Sequence, residues 1–198
     1  GQGGQVLEII PVIDLLNQQV VHAKRGERQH YHPIRSSLCP SSAPLDVVAA
    51  MLGLYPFEHL YIADLDAIQR RGQHIEIVSR IRQRHPDLGL WLDAGLSGIQ
   101  DVQLWQALEI DLVVGSETLS ELSDYLALKE ALGARMILSL DFDGHGFRGP
   151  AQLLQQASLW PERVIAMTLA RVGSAEGPDM ARLEAILQQR PEIQTIAA

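Results

Sequence analysis

A single parallel α/β barrel on the eight-fold βα plan, short at its C-terminal end, is the architecture this sequence predicts. Three observations predict it. Short apolar runs recur, and they are continuous rather than alternating, as strands buried on both faces require. Several end in a carboxylate, at Asp14, Asp64, Asp93 and Asp141, and the carboxyl ends of strands carry the chemistry in barrels and open α/β sheets. Helical patterns lie between the runs, and the units repeat about every 25 to 30 residues, as parallel βα units need.

In chain order, residues 9–14 form the first run, with polar Asn17, Gln18 and Gln19 after it. A second extended piece follows at 20–23. Residues 24–44 are polar and hold Arg25, Arg28, Arg35, His30, His32, Pro33 and Pro40. A connection this long is either functional or disordered, and its cations suit a loop that closes over an anion. Residues 45–55 show a helical face (Val47, Val48, Met51, Leu52), ended by Pro56. The next strand is 59–64, and a helix over 73–85 places Ile75, Ile77, Val78 and Ile81 inward before Pro86.

Residues 88–93 form a third strand, 94–98 its turn, and a short helix carries Val102, Leu104, Trp105 and Leu108. The fourth strand is 111–116. Ser120 suits the N-cap of a helix over 121–132, and Gly133 its left-handed end. The fifth strand is 136–141, followed by a glycine-rich flexible loop (Gly144, Gly146, Gly149) and a helix from Pro150 to about Leu159. The sixth strand is 163–168. After a polar loop, Pro178 opens a helix at its first turn, with Met180, Leu183, Ile186 and Leu187 on one face. Residues 193–198 form a seventh strand. No Gly-x-Gly-x-x-Gly follows a strand, which speaks against a dinucleotide-binding sheet.

An eight-stranded barrel takes about 250 residues, so strands one to seven are expected here and a last piece of roughly 40 residues is expected to be missing. Residues 1–5 read as a leader or cloning remnant and are left out of fold reasoning; residues 6–198 read as one domain. An open barrel exposes two sheet edges, so a homo-oligomer is expected as one way of covering them.

The chain has 198 residues and a net charge of -8, from 16 basic and 24 acidic side chains. That balance argues against a nucleic-acid partner. No apolar run is long enough to span a membrane. Only Lys24 and Lys129 among the cations are lysine; arginine is the better bidentate phosphate partner. Cys39 is the only cysteine, which excludes an internal disulfide and suits a cytoplasmic protein. It sits in a loop with no evident base, a poor setting for a nucleophile.

Several segments resemble one family. Ile10-Pro11-Val12-Ile13-Asp14-Leu15, then Val20-Val21 and Arg25-Gly26, is similar to the opening of the HisA/HisF family. These are the phosphoribosyl-formimino aminoimidazole carboxamide isomerase of histidine biosynthesis and its cyclase partner, both TIM barrels. Leu60 to Asp66 resembles the family's second strand, Val113 to Thr118 its fourth, and Leu138 to Asp141 its fifth. Gly173 to Asp179 resembles the loop after its sixth. There are departures. The family isomerase has a Gly-Gly-Gly turn after strand three, where this chain has Asp93-Ala94-Gly95. Its Thr-Asp at the end of strand six is Met167-Thr168 here, and its Asp-Gly-Thr is Val172-Gly173-Ser174. In these respects the chain is more similar to the divergent HisA/HisF-related proteins of methanogens and methylotrophs, some of them associated with tetrahydromethanopterin metabolism.

The resemblance implies a cofactor-independent Amadori isomerase acting on a phosphorylated small molecule. Asp14 and Asp141 take the acid and base roles, in either order. Turn N–H groups at Gly95, Ser97, Gly98, Gly115 and Ser116 suit phosphate, with Arg25, Arg171 and Gly177 as further contacts and Arg28 and Arg35 as candidates. Asp64 and Thr168 complete the rim, where Asp64, Asp66 and Asp93 add negative charge. No metal site is expected. The run Asp141-Phe142-Asp143-Gly144-His145-Gly146 starts like a calcium loop but lacks the later ligands, and a transition-metal set of Asp64, Asp141 and His145 is equally weak. The remaining histidines, His74 among them, show no ligand spacing, and most of them read as surface residues. Two alternatives stand beside the isomerase: an enzyme of tetrahydromethanopterin or C1-cofactor metabolism on the same scaffold, and a catalytically silent ligand-binding relative.

Overall fold

The computed structural model describes residues 9–23, 31–33, 41–168 and 177–197. Among these, seven strands run parallel in a curled sheet, in the order β1 (Val12–Leu16), β4 (His59–Asp64), β5 (Gly89–Asp93), β6 (Asp111–Gly115), β7 (Met136–Asp143), β9 (Arg163–Thr168) and β10 (Gln194–Ala197). Three short strands extend it antiparallel. β2 (Gln19–Ala23) pairs with the end of β1, β3 (Tyr31–Pro33) pairs with β2, and β8 (Gly146–Arg148) pairs with the end of β7.

The helices are α1 (Pro44–Leu54), α2 (Leu65–Ile68), α3 (Ile75–Arg84), α4 (Leu122–Leu132), α5 (Ala151–Gln155) and α6 (Pro178–Gln189). Both α1 and α6 carry proline in their first turn, where its missing N–H costs nothing. No helix among the described residues is long and apolar enough to cross a membrane.

The two faces of the sheet bury separate clusters, because alternate residues of a strand point opposite ways. Ile13, Leu15, Leu60, Ile62, Leu90, Leu92, Leu138 and Leu140 pack outward on the helices, together with Trp105, Tyr125 and Phe142. Tyr61, Ala63, Trp91, Val113, Ile137, Ile165 and Met167 pack on the inner face. Residues on these strands with the same parity as the second group therefore line the hollow of the curl.

Three arginines tie the amino-terminal side of the sheet. Arg82 donates to the carbonyls of His85, Leu88 and Glu109. Arg135 donates to those of Leu108 and Ile110 at 2.8 and 2.9 Å. Arg163 donates to Ala134 O and pairs with Asp111 at 2.9 Å. Each holds carbonyls of the loops at that end.

Several expectations need correction. Asp14 is not the last residue of its strand: β1 continues to Leu16 and turns through Asn17 and Gln18, both at positive φ (49° and 68°). That pair of left-handed residues is what a tight hairpin needs. Residues 99–105 form two 3₁₀ turns rather than an α-helix. α4 starts after Glu121 and no side chain caps it, so Ser120 is not its N-cap. The glycine-rich stretch after β7 is an ordered hairpin: Asp143 accepts the His145 N–H, Arg148 pairs with Asp143, and Asp179 of α6 accepts the Phe147 N–H at 2.9 Å. α2 was not anticipated.

Candidate active site

Asp14 and Asp141 both lie on the inner face. Ile13 and Leu15 flank Asp14 and face the helices, and Leu140 and Phe142 do the same beside Asp141. Parity turns each carboxylate into the curl. A third carboxylate joins them, since Asp93 has the parity of Trp91. All three act on one phenol. Tyr61 is 1% exposed, and its hydroxyl donates to Asp93 Oδ2 at 2.9 Å. Burial pushes its ionisation well above the usual value, and the charges of Asp93, Asp141 and Asp14 push it further. The two carboxylates singled out from the sequence thus share an electrostatic environment on the inner face of β1 and β7.

Asp141 is 5% exposed. Ser139, two residues earlier on the same face, donates its hydroxyl to Oδ1 at 2.7 Å, and the Glu117 N–H donates to Oδ2 at 2.9 Å. The Asp141 N–H in turn donates to Ser116 Oγ at 2.9 Å. Burial raises the Asp141 carboxyl to about 7; the Glu117 and Ser139 hydrogen bonds pull the other way, and the charges of Asp93 and Glu117 add to the rise. A carboxyl poised near neutrality is what an acid catalyst needs.

Gly115 makes room for this group. A Cβ there would stand 2.8 Å from Asp141 Oδ2, although the Gly115 backbone is ordinary extended chain. Gly115→Ala is expected to lower stability by about 1–3 kcal/mol, the usual cost of overpacking, as read by urea denaturation. Unchanged stability would show that Asp141 moves aside freely.

The turns after β5 and β6 are already occupied. The Gly95 N–H donates to Asp93 Oδ1 at 3.1 Å, and Gly95 itself is fixed by a positive φ of 67° and a close approach to the Ile68 backbone. The Ser97 N–H and hydroxyl donate to Asp101 Oδ2 at 2.9 and 3.0 Å. Arg70 completes that cluster through Asp101 and Ser97 Oγ. Gly98 is extended backbone. Ser116 is fully buried as the acceptor for Asp141. Thr118 spans the two turns, donating to the carbonyls of Leu96 and Gly115.

Asp64 and Thr168 face the other way. Asp64 is fully buried under α2 and α3, where it accepts the Ala67 N–H, the His74 N–H and the His74 ring at Nδ1, the last at 2.8 Å. His74 Nε2 accepts the Gln18 N–H at 3.0 Å, which assigns the ring proton to Nδ1. His74 is therefore a core residue and not a surface one. Because Asp64 and Asp141 face opposite sides of the sheet, the set Asp64, Asp141 and His145 does not converge. Thr168 has the parity opposite to Met167 and meets Ile196 O at 3.4 Å. Gly177 is the N-cap of α6, at φ 119°. Arg25, Arg28, Arg35, Cys39 and Arg171 lie outside the described residues.

Sequence reasoning missed Tyr61, Ser139 and the role of Asp93. The spacing of Ser139 and Asp141 was a usable signal, since residues two apart on a strand share a face. Tyr61 gave no such signal, because its partner is set by strand register.

A family model described as "Histidine biosynthesis protein" matches residues 8–198. An uncharacterized protein of Methanocaldococcus jannaschii is 33% identical over 139 residues, which is 69% of this chain and 57% of that relative. The chain thus spans under two thirds of the length of this relative.

Proposed function

The chain belongs to the histidine biosynthesis protein family, and from that membership we propose an acid–base isomerase that converts an aminoaldose of the phosphoribosyl type to an aminoketose. In this reading Asp141, held near neutrality, is the acid and Asp14 the base. Protonation of the ring oxygen breaks its bond to C1 while the nitrogen lone pair forms C=N. Removal of the C2 proton then moves that electron pair toward C1, giving an enaminol. Return of a proton to C1 and loss of the C2 hydroxyl proton complete the ketone. Every proton is exchanged with a carboxyl group, so the step balances without a cofactor.

The observation that carries this reading is that Asp14 and Asp141 both turn onto the inner face of the sheet, since Ile13, Leu15, Leu140 and Phe142 beside them pack on the helices. Asp14→Asn is expected to lower kcat/KM by about 10²–10⁴-fold, the usual worth of a positioned acid or base. The assay is turnover of N-substituted ribosylamines, with and without a 5-phosphate. Full activity in the variant would refute the role of Asp14. Asp93, the partner of Tyr61, stands where the family isomerase has a glycine turn, and it favours a second reading, a different substrate on the same scaffold, including one of pterin-cofactor assembly. A parallel assay on pterin-type substrates separates the two.

A further inference from the structure

Asp141 meets two kinds of donor, and they differ in what they can do. The Glu117 N–H donates to Oδ2 at 2.9 Å. As a backbone group it can only donate. The Ser139 hydroxyl donates to Oδ1 at 2.7 Å. A hydroxyl is a rotor that donates in one orientation and accepts in another. Oδ1 is therefore the oxygen suited to carry the proton of the neutral carboxyl group, because its partner can serve both forms.

The strand geometry places Ser139 for this. Ser139 and Asp141 are two apart on β7 and share the inner face. Ser139 lies nearer the amino end of the strand and is 1% exposed, so it supports Asp141 from beneath and is closed to a substrate. Its register partner on β6 is Gly115. With no side chain there, the Asp141 carboxylate leans across β6, and a Cβ on Gly115 would stand 2.8 Å from Oδ2. Ser116 fixes the main chain at the same point by accepting the Asp141 N–H at 2.9 Å. The carboxyl plane is thus held at both oxygens and at its own backbone.

We propose that Ser139 is a positioning residue for proton release by Asp141, its hydroxyl meeting the negative charge that develops on Oδ1 as the proton leaves. The proton passes from Oδ1 to the ring oxygen of the substrate. The electron pair of the broken O–H bond stays on Oδ1, and Ser139 keeps its own proton. A donor whose bond strengthens as charge appears lowers the barrier more than it stabilises the resting acid. The Ser139 hydrogen bond accordingly favours the charged form of Asp141, against its burial. This rests on the reading of Asp141 as the acid.

Other groups face the same carboxyl and stay in place when Ser139 is changed. Asp93 from β5 and Glu117 after β6 favour the neutral form. The Tyr61 phenol of β4 is neutral, since its ionisation lies well above the usual value. Arg148 of β8 is opposite Asp141 in register and pairs with Asp143, and β9 brings Met167.

The test is a pH titration of the whole chain, followed at the side-chain carboxyl carbon of Asp141 by NMR. The wild type is expected to titrate at about 7. Ser139→Ala is expected to titrate about 1 pH unit or more higher, as loss of a hydrogen bond to a charged group requires. Ser139→Thr keeps the hydroxyl and is expected to titrate with the wild type. Ser139→Cys, a weaker donor, is expected to move upward too, and it decides if the alanine variant does not fold. In turnover of N-substituted ribosylamines, Ser139→Ala is expected to lower kcat about 10-fold with KM little changed, and Ser139→Thr to restore it. A folded alanine or cysteine variant that titrates with the wild type would overturn the proposal. So would an alanine variant that keeps wild-type kcat. A wild type that turns over no ribosylamine counts against the isomerase reading alone, since the titration decides on Ser139 without it.

Discussion

Asp141→Asn is expected to lose turnover by about 10²–10⁴-fold and, at pH 8, to be more stable than the wild type. The two effects have one cause. The Asp141 carboxyl is raised from 3.8 to about 7, chiefly by burial. Its charged form is therefore disfavoured in the folded chain relative to the unfolded one. The sign follows from linkage. Below about pH 4 the group is protonated in both states and costs nothing. Between about pH 4 and 7 the unfolded chain releases its proton first, and stability falls as pH rises. Above about pH 7 the cost is complete, at most about 4 kcal/mol at 1.36 kcal/mol per unit. Asparagine keeps an acceptor for Ser139 or Glu117 without the charge, so its stability lacks this fall. Urea denaturation at pH 5 and pH 8 reads the difference. A variant that is less stable than the wild type at pH 8 would show that the carboxylate is held by more than the described bonds.

The second large effect is on folding. His74→Ala is expected to lower stability by about 1–3 kcal/mol or more, the cost of leaving buried polar groups without their partner. Both side chains are fully buried, and Asp64 would keep only backbone partners at Ala67 and residue 74. The Gln18 N–H would also lose its acceptor, so its amide should exchange faster with solvent. Asp64→Asn added to His74→Ala removes the stranded charge and should recover part of the loss. A single variant within about 1 kcal/mol of the wild type, the range of an ordinary hydrogen bond, would mean that water replaces the ring without cost.

The strand pattern was legible because continuous apolar runs have few other uses. The limits of β4 and β9 agree with the runs that announced them. α2 escaped because its single turn, Leu65 to Ile68, is too short for any periodicity and exists by virtue of its Asp64 cap. The helix expected around Trp105 became 3₁₀ turns, although the same residues are buried. The inward aim of Asp14 and Asp141 follows from period two. The partners of Asp93 and Asp101 do not, because they are 32 and 31 residues away, at Tyr61 and Arg70. Glycines and serines at turns suggested an anion from outside; Asp93 and Asp101 take the Gly95 and Ser97 N–H groups from only two and four residues away, whereas Asp141 reaches the Glu117 N–H from another strand.

Arg82, Arg135 and Arg163 secure the end of the sheet opposite the carboxylates. Each bonds to loop carbonyls, which every amino acid offers equally. Apart from Asp111, whose carboxylate pairs with Arg163, neighbouring side chains on that floor can therefore be exchanged without loosening the staples, and the opposite rim can be rebuilt while the floor holds the strands in place. A scaffold divided in this way tolerates inherited drift in its substrate, and diversified libraries confined to the rim loops should keep a high proportion of folded members.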